Sequence, residues 1–365
     1  MFNVAARRTR RESDALSISR VDSLIGLIRN IDNGIPQEGR PEIISRKVLP
    51  RDYKALLRRL ESSDNDISGF FHSALRYEYR PSLSGRTQLT IRMNCPLHEG
   101  MIADINRCMG RELDRIIGNA RGEYTSKAVE IAGNIDFTGG RVLKVGEKDL
   151  RADCSYKYKY PKTNGPGLLV EVAWSQSTKK LRDKAREIIH GTEGNIRTVV
   201  RLDFSGTFDT WNKIREQWDR TGTLQRGPAR IFVWRAVFDS KTGKASLDEE
   251  GQPKITESTH VFCNGDGKAN LHESVHLTLQ DIVPESVIRE ENINKESDLG
   301  GAELVIDSPT FLRCFDNKLR DQKDYDDSIR PEKDLEEATK NEKKEESKCS
   351  TGGETEEGPW RNAQH

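Results

Sequence analysis

Residues 153–184 read DCSYKYKYPKTNGPGLLVEVAWSQSTKKLRDK, and the prediction of the fold depends on this stretch. Asp153 closes one predicted strand, and a turn-rich connection leads to a second strand that is strongly apolar. The second strand carries a single carboxylate, Glu171, between aliphatic neighbours. A charge inside a buried strand is costly unless it is paired or bound to a metal, so Glu171 requires a partner. A basic helix that includes Lys184 follows directly.

The apolar periodicity around this stretch predicts an α/β fold. The predicted elements are, in order, a helix from 98 to 118, strands at 129–137, 150–156 and 168–174, a helix at 179–190 and a strand at 196–204. A strand–helix–strand crossover over 168–204 predicts a parallel pair of strands. We therefore expect a mixed sheet flanked by helices.

The rest of the chain is more polar than the centre. The chain has 365 residues, and its hydrophobic content of 34% is low for a compact protein of this length. A folded core with polar appendages accounts for the low hydrophobic content of a chain of this length. The predicted parts are a flexible basic arm (1–20), a helical N-terminal extension (21–86), the α/β core with a β-rich extension (87–285), a partly packed segment (286–320) and a disordered charged tail (321–365).

Charge and cysteine usage restrict the possible partners and compartment. The formal net charge is zero, so any surface for nucleic acid must be a local patch. No apolar run approaches the ~18 residues of a membrane helix, so no membrane partner is expected. The six cysteines have no paired spacing and the N-terminus lacks a secretory apolar segment. Both observations favour an intracellular protein, cytoplasmic or nuclear, in a reducing compartment.

Asp153, Glu171 and Lys184 are the first candidates for chemistry. Two carboxylates on neighbouring antiparallel strands can meet at a sheet edge and hold a divalent cation, most plausibly magnesium. Such a cation polarises a phosphodiester and activates a water, and a nearby lysine offsets the developing charge. Taken singly, Asp153 is typical of a turn acid and Lys184 of a solvated helix surface. Their order along strand, strand and helix is what indicates a site.

These residues resemble the PD-(D/E)xK nuclease superfamily. The run GLLVEVAWSQS at 167–177, then KLRDKA at 180–185 and Gly194, is similar to its restriction-endonuclease branch of the Uma type and to similar hypothetical fungal proteins. Pro96-Leu97-His98-Glu99 at the start of a long helix and the run 277–284 also match that branch. The resemblance covers residues 87–285 and rests on short motifs.

The resemblance implies a restriction-endonuclease-like core that hydrolyses phosphodiester bonds in nucleic acid. Asp153 and Glu171 would then bind Mg²⁺ or Mn²⁺, and many such cores cut as homodimers. The usual lysine position two residues after the glutamate is Ala173 here, and branch members commonly draw the lysine from the next helix, which gives Lys184. The proline that usually precedes the aspartate is replaced by Ala152.

Two further side chains complete the implied site. Gln176 is a second candidate for the role of Lys184, and Glu99 would be an accessory acid. A glutamate in the first turn of a helix is also favourable for dipole reasons alone. A catalytically inactive nuclease-like fold that binds nucleic acid or protein is the alternative function.

Basic side chains interleaved with tyrosines indicate a surface for nucleic acid. The run 156–162 alternates tyrosine and lysine, so its rings could stack on bases and its amines could hold phosphates. An exposed β-hairpin with alternating faces explains the same pattern. The predicted nucleic-acid-binding residues are Lys157, Lys159, Lys162, Lys179 and Lys180.

The sequence His272-Glu273-Ser274-Val275-His276 has the H-E-x-x-H spacing of a zinc site on a helix. Its context opposes that interpretation, because Val275 and the apolar residues after it alternate with the period of a strand. Two histidines four residues apart on a strand lie ~13 Å apart, too far to share one metal. We therefore predict a strand here and no zinc site.

Overall fold

The computed structural model describes residues 2–33, 43–62, 67–73, 75–81, 87–92, 95–119, 121–140, 142–159, 165–174, 176, 178–239 and 241–349. The chain divides into two units, Met1–Lys318 and Leu319–His365. In the described residues, no helix combines the length and the apolar character needed to cross a membrane.

The helices are α1 (Phe2–Asp32), α2 (Pro50–Leu60), α3 (Ser68–Ser73), α4 (Pro96–Gly118), α5 (Ser126–Gly133), α6 (Thr178–Gly191), α7 (Ser205–Thr221), α8 (Glu285–Glu290) and α9 (Ser308–Cys349). The strands are β1 (Ile43–Lys47), β2 (Arg76–Arg80), β3 (Gln88–Arg92), β4 (Ile135–Phe137), β5 (Val142–Val145), β6 (Lys148–Arg151), β7 (Cys154–Tyr158), β8 (Leu168–Ala173), β9 (Thr198–Asp203), β10 (Ala229–Ala236), β11 (Ile255–Cys263), β12 (Ser274–Thr278) and β13 (Glu303–Asp307). The fold is thus mixed α/β, as predicted.

The central sheet has six strands in the order β11-β10-β9-β8-β7-β4. Strands β8 and β9 are parallel and α6 connects them, so the predicted crossover is confirmed. Strand β7 pairs with β8 in the antiparallel direction, with Cys154 opposite Val170. Every residue of β8 and β9 is buried, which matches the apolar character of these two strands.

A second, antiparallel sheet has the order β1-β3-β2-β6-β5 and packs with α1 and α2 around its own apolar cluster. The helical extension predicted over 21–86 contains α2 and α3, and it also contains the strands β1 and β2. Tyr77 and Tyr79 explain the difference, since both are buried in β2 and alternate with charged residues. The ring of Tyr79 stacks on that of Tyr53, with centroids 3.6 Å apart.

The chain passes from one sheet to the other at Ala152-Asp153. One strand was predicted over 150–156, but β6 and β7 are separate strands of different sheets. Asp153 therefore precedes β7 and does not close a strand. Arg76 stabilises this break, because its Nη1 donates to the carbonyl oxygens of Ala152 and Asp153 at 3.3 and 2.9 Å.

The predicted strand over 129–137 is mostly a helix. Helix α5 occupies its first part and only β4 is extended. The β-branched residues of this segment favour a strand, but the side chain of Thr125 accepts from the Ala128 amide at 3.0 Å. This N-cap satisfies a free amide of the first turn and favours the helix.

The two ends of the chain are more helical than the sequence analysis predicted. Helix α1 begins at Phe2, so the segment described as a flexible arm is helical. Ser17 and Arg20 both donate to the buried carboxylate of Asp52, which anchors α1 to α2. Within the predicted disordered tail, the backbone is helical to Cys349. Residues 350–365 of that tail lie outside the described residues.

Gly167 allows the start of β8 to approach the backbone near Ile282. A Cβ atom at Gly167 would lie 1.9 Å from the Ile282 carbonyl oxygen, whereas one at Gly165 would meet nothing within 4 Å. We expect Gly167→Ala to lower the free energy of unfolding by about 1–3 kcal/mol, since backbone cannot yield as a side chain does. Urea denaturation of this variant and of Gly165→Ala checks this. Equal stability of the two variants would contradict the prediction.

Candidate active site

The structure brings the predicted carboxylate and lysine together. Nζ of Lys184, on α6, lies 2.8 Å from Oε2 of Glu171, on β8. Their side chains are only 3% and 1% exposed, so Lys184 is not a solvated helix residue. Continuing the register of β7 and β8 by one residue beyond Cys154 and Val170 places Asp153 opposite Glu171.

The two carboxylate oxygens of Glu171 have different surroundings. Oε2 accepts from Lys184 and from Arg201 Nη2, the latter at 3.2 Å. Arg201 lies directly beside Glu171 on the parallel strand β9 and is also buried. Oε1 is buried, and no described residue provides it with a hydrogen bond. Buried carboxylate oxygens are rarely left without a donor, so this atom is available to a ligand.

Lys184 is shared by two acids from different sheets. Its Nζ lies 2.6 Å from Oε1 of Glu78, on β2. Arg92 and Arg80 also pair with Glu78, the latter at 3.3 Å. Burial alone would raise the pKa of Glu78, but Lys184 and Arg92 hold that pKa well below its usual range. Glu78 is therefore ionised and fixes the position of the Lys184 amine.

Asp153 is held by groups on three sides. Its Oδ2 accepts from the Val172 amide at 2.7 Å and lies 3.2 Å from His98 Nε2. Its Oδ1 lies 3.4 Å from Arg76 Nη1. Burial opposes ionisation, but His98 and Arg76 keep the pKa of Asp153 well below its usual value. Asp153 is thus an anion, and among the residues that the structure describes its Oδ1 has only the long ion pair with Arg76.

His98 connects Asp153 to the edge of the site. Its Nδ1 lies 3.0 Å from Oε1 of Glu99. Burial would lower the pKa of His98, but Asp153 and Glu99 raise it to about 9, so both ring nitrogens carry protons at neutral pH. Glu99, the predicted accessory acid, also pairs with Arg76 at 3.3 Å and is 40% exposed. It lies at the rim and holds the two cations that contact Asp153.

Gln176, the second candidate for the lysine role, contacts another cation. With its amide oxygen turned toward Arg92, it accepts from Nη1 and Nε of that arginine at 3.1 and 2.9 Å. Arg92 is also bound to Glu78, so Gln176 extends the network at the rim. Lys184, and not Gln176, contacts Glu171.

The predicted nucleic-acid surface is only partly present. Tyr156 and Tyr158 are buried, so the prediction that they stack on bases is wrong, because β7 is covered on the face that carries them. Lys157 is half-buried, and Lys159 is exposed but pairs with Asp136 at 2.7 Å. Lys179 is exposed. Lys162 and the side chain of Lys180 lie outside the described residues.

The H-E-x-x-H run is not helical. Its last three residues begin β12, so the predicted strand is confirmed. Glu273 pairs with His260 at 3.0 Å, and His276 pairs with Glu303 at 2.9 Å. Glu273 and His276 of this run therefore have separate partners.

Four members of the site were not predicted from the sequence: Arg76, Glu78, Arg92 and Arg201. Arg201 carries the same signal as Glu171, since it is a single charge between aliphatic residues of a buried strand. The pairing of two such strands would have placed the two charges together. The arginine and glutamate of β2 gave no comparable signal, because the segment 69–80 favoured neither helix nor strand.

The candidate active site combines charged side chains from several elements of the fold. Opposite charges from both sheets and from α4 and α6 meet within it, and its two central acids each have one oxygen without a short hydrogen bond to the described residues. The chain matches no protein-family model, no curated protein and no solved structure.

Proposed function

We propose that this protein is a metal-dependent nuclease that hydrolyses phosphodiester bonds in nucleic acid at Asp153, Glu171 and Lys184. The observation that carries the proposal is the surroundings of Glu171. A lysine from the following helix reaches one oxygen of this buried acid at 2.8 Å, and the other oxygen has no hydrogen-bond partner in the described part of the chain.

The order of elements supports a restriction-endonuclease-like core. Strands β4, β7 and β8 are neighbours and antiparallel, and α6 then leads to β9, which is parallel to β8. This is the sequence of strands, helix and strand that the resemblance covers. Asp153 lies directly before β7, Glu171 lies on the adjacent strand β8, and Lys184 lies on the crossover helix.

The two acids fit a small, hard cation. In the described residues, no group of three or more histidine, cysteine, aspartate or glutamate side chains could hold a metal. Mg²⁺, however, is usually bound by one or two carboxylates and completes its shell with waters and substrate oxygens. Glu171 Oε1, which has no hydrogen-bond partner among the described residues, would be one ligand, and Asp153 Oδ1, which is 3.4 Å from Arg76, would be the other. When bound, Mg²⁺ or Mn²⁺ would polarise the phosphodiester and lower the pKa of a water.

The chain's own cations have separate roles in this proposal. Lys184 is held between Glu171 and Glu78 and offsets the negative charge that develops on the phosphate. Arg76 and Arg92 lie nearer the rim, with 13% and 17% of their side chains exposed, and would hold phosphate oxygens. Arg201 is a positioning residue, because it fixes Glu171 from the neighbouring strand.

The alternative is a catalytically inactive nuclease-like fold that binds nucleic acid or protein. One observation favours it: the acids already have cationic partners. Glu171 pairs with Lys184 and Arg201, and Asp153 pairs with Arg76 and with protonated His98. A site whose carboxylates are neutralised by the chain attracts a divalent cation less strongly.

Cleavage assays test the proposal directly. The full chain is incubated with end-labelled single- and double-stranded DNA and RNA, with Mg²⁺, Mn²⁺ or EDTA. We expect metal-dependent cleavage of at least one substrate. Glu171→Asp is expected to reduce cleavage to background, because it keeps the charge facing Lys184 and Arg201 but withdraws the carboxylate by one methylene.

The matched control is Glu257→Asp on β11, which changes a half-exposed ion pair with Arg182 and should retain full cleavage. Absence of cleavage by the folded wild type with either metal would contradict the enzyme proposal. In that case, binding of Mn²⁺ by the wild type and not by Glu171→Asp would still locate the metal at the site. Retention of nucleic acid in EDTA would favour the inactive binding module.

A further inference from the structure

Two cysteines outside the candidate active site lie side by side between α4 and α9. The thiol of Cys314 is in hydrogen-bonding contact with the sulfur of Cys108. Asp104, one turn before Cys108, lies 3.9 Å from Lys318, one turn after Cys314. The two helices therefore meet in antiparallel register along this line, and the sulfur pair is a defined contact between them.

The two thiols have unequal acidity. Arg111, one turn further along α4, places Nη2 3.3 Å from Cys108 Sγ. The Cys314 hydrogen bond and Arg111 together lower the pKa of Cys108 to about 6, against the opposing effect of burial. The same hydrogen bond and burial raise the pKa of Cys314. At neutral pH, Cys108 is therefore a thiolate beside a neutral thiol.

This combination differs from the surroundings of two other cysteines of the fold. Cys154 is fully buried at the start of β7, and burial raises the pKa of its thiol. Burial likewise raises the pKa of Cys263 to about 11. Cys314 is half-buried and Cys108 is 5% exposed, so Cys314 is the more accessible sulfur of the pair. A low thiol pKa with solvent access and an adjacent second thiol is typical of oxidant-reactive cysteines.

We propose that Cys108 and Cys314 form a site that reacts with small hydroperoxides and closes to a disulfide. The Cys108 thiolate attacks one peroxide oxygen, the O–O bond breaks, and the released hydroxide takes up a proton to become water. The resulting sulfenic acid is attacked by the Cys314 sulfur. The S–S bond forms, the S–O bond breaks, and the leaving hydroxide departs as water with the Cys314 proton. Two thiols are oxidised and one hydrogen peroxide is reduced to two waters.

This site is independent of the proposed nuclease, since neither sulfur contacts its residues. Its product would be a covalent tie between α4 and α9. Helix α4 carries His98 and Glu99 in its first turn, so the tie would restrain the same helix that supplies these two side chains.

Peptide mapping of the oxidised full chain tests the proposal. The reduced protein is treated with stoichiometric hydrogen peroxide, alkylated and digested. We expect one disulfide that links the peptides of Cys108 and Cys314, while Cys154 and Cys263 are alkylated. In Cys314→Ser, which keeps a hydroxyl donor, Cys108 is expected to stop at the sulfenic acid and to be trapped by dimedone.

The role of Arg111 provides a second readout that needs no disulfide. Arg111→Leu is expected to slow iodoacetamide labelling of Cys108 at pH 7 by roughly tenfold, because less of the sulfur is thiolate. Arg121→Leu, at a side chain that is 86% exposed, is the matched control and should leave the rate unchanged. A disulfide between other cysteines, no dimedone adduct in Cys314→Ser, or an unchanged rate in Arg111→Leu would each overturn the proposal.

Discussion

Replacement of Glu171 by glutamine is expected to lower the free energy of unfolding by about 3–5 kcal/mol. The substitution preserves shape but leaves Lys184 and Arg201 facing a neutral amide in a site where each is at most 3% exposed. Most of the effect is the cost of burying the Arg201 guanidinium without its counter-charge, since Lys184 keeps its ion pair with Glu78. Chemical denaturation of the wild type and of Glu171→Gln, followed by circular dichroism, measures the difference.

The control for this prediction is Glu257→Gln, which breaks a half-exposed ion pair with Arg182. It should lower the free energy of unfolding by less than ~1 kcal/mol. A double replacement of Glu171 and Arg201 by methionine removes both buried charges. It should cost less than the sum of the single replacements, because neither charge is then left alone. If Glu171→Gln lowers the free energy of unfolding by less than ~1 kcal/mol, the prediction is contradicted, because the cations must then be solvated by water.

The stability of the wild type is expected to carry a pH-dependent contribution from His98 of roughly 3 kcal/mol. The pKa of His98 is about 9 in the folded protein and 6.5 ordinarily. The folded state therefore binds the proton more tightly. The contribution is fully present below pH 6.5 and is lost as the pH rises through 9.

The thiol pKa of Cys108 is lowered to about 6 in the folded protein. Its contribution to stability therefore increases with pH over part of the same range, opposite to that of His98. The measurement is therefore the difference in unfolding free energy between the wild type and His98→Gln at a series of pH values from 6 to 10. The contribution of Cys108 cancels in this difference. The unfolding free energies of the wild type and of His98→Gln, plotted against pH, should converge as the pH rises. Parallel plots would contradict a raised pKa for His98.

The central sheet was predictable because the sequence patterns that indicate it lie within short stretches of the chain. The apolar runs of β8 and β9 and the amphipathic pattern between them indicate a parallel pair without any knowledge of the rest of the chain. The break between β6 and β7 was not predictable in this way. Asp153 is compatible with a turn but does not by itself indicate a change of sheet, and the side chain that stabilises the break, Arg76, comes from far earlier in the sequence.

The site was predictable only in its central part. Glu171 stood out as an acid in an apolar strand, and the resemblance identified Lys184 as its partner. Arg76, Glu78 and Arg92, which hold these residues, come from strands of the second sheet, and the sequence does not indicate how those strands pair. Glu78 illustrates this, because it approaches Lys184 only after the two sheets have met. Side chains that depend on such long-range packing leave no local pattern.

The sharing of Lys184 between the two sheets has a consequence for folding kinetics. Its contact with Glu171 is formed over a short loop, whereas its contact with Glu78 joins distant parts of the chain and carries a larger loop-closure entropy. A folding intermediate with only the central sheet formed would hold the Lys184 amine by one carboxylate instead of two. We therefore expect completion of the site to be a late event in folding, coupled to docking of the antiparallel sheet.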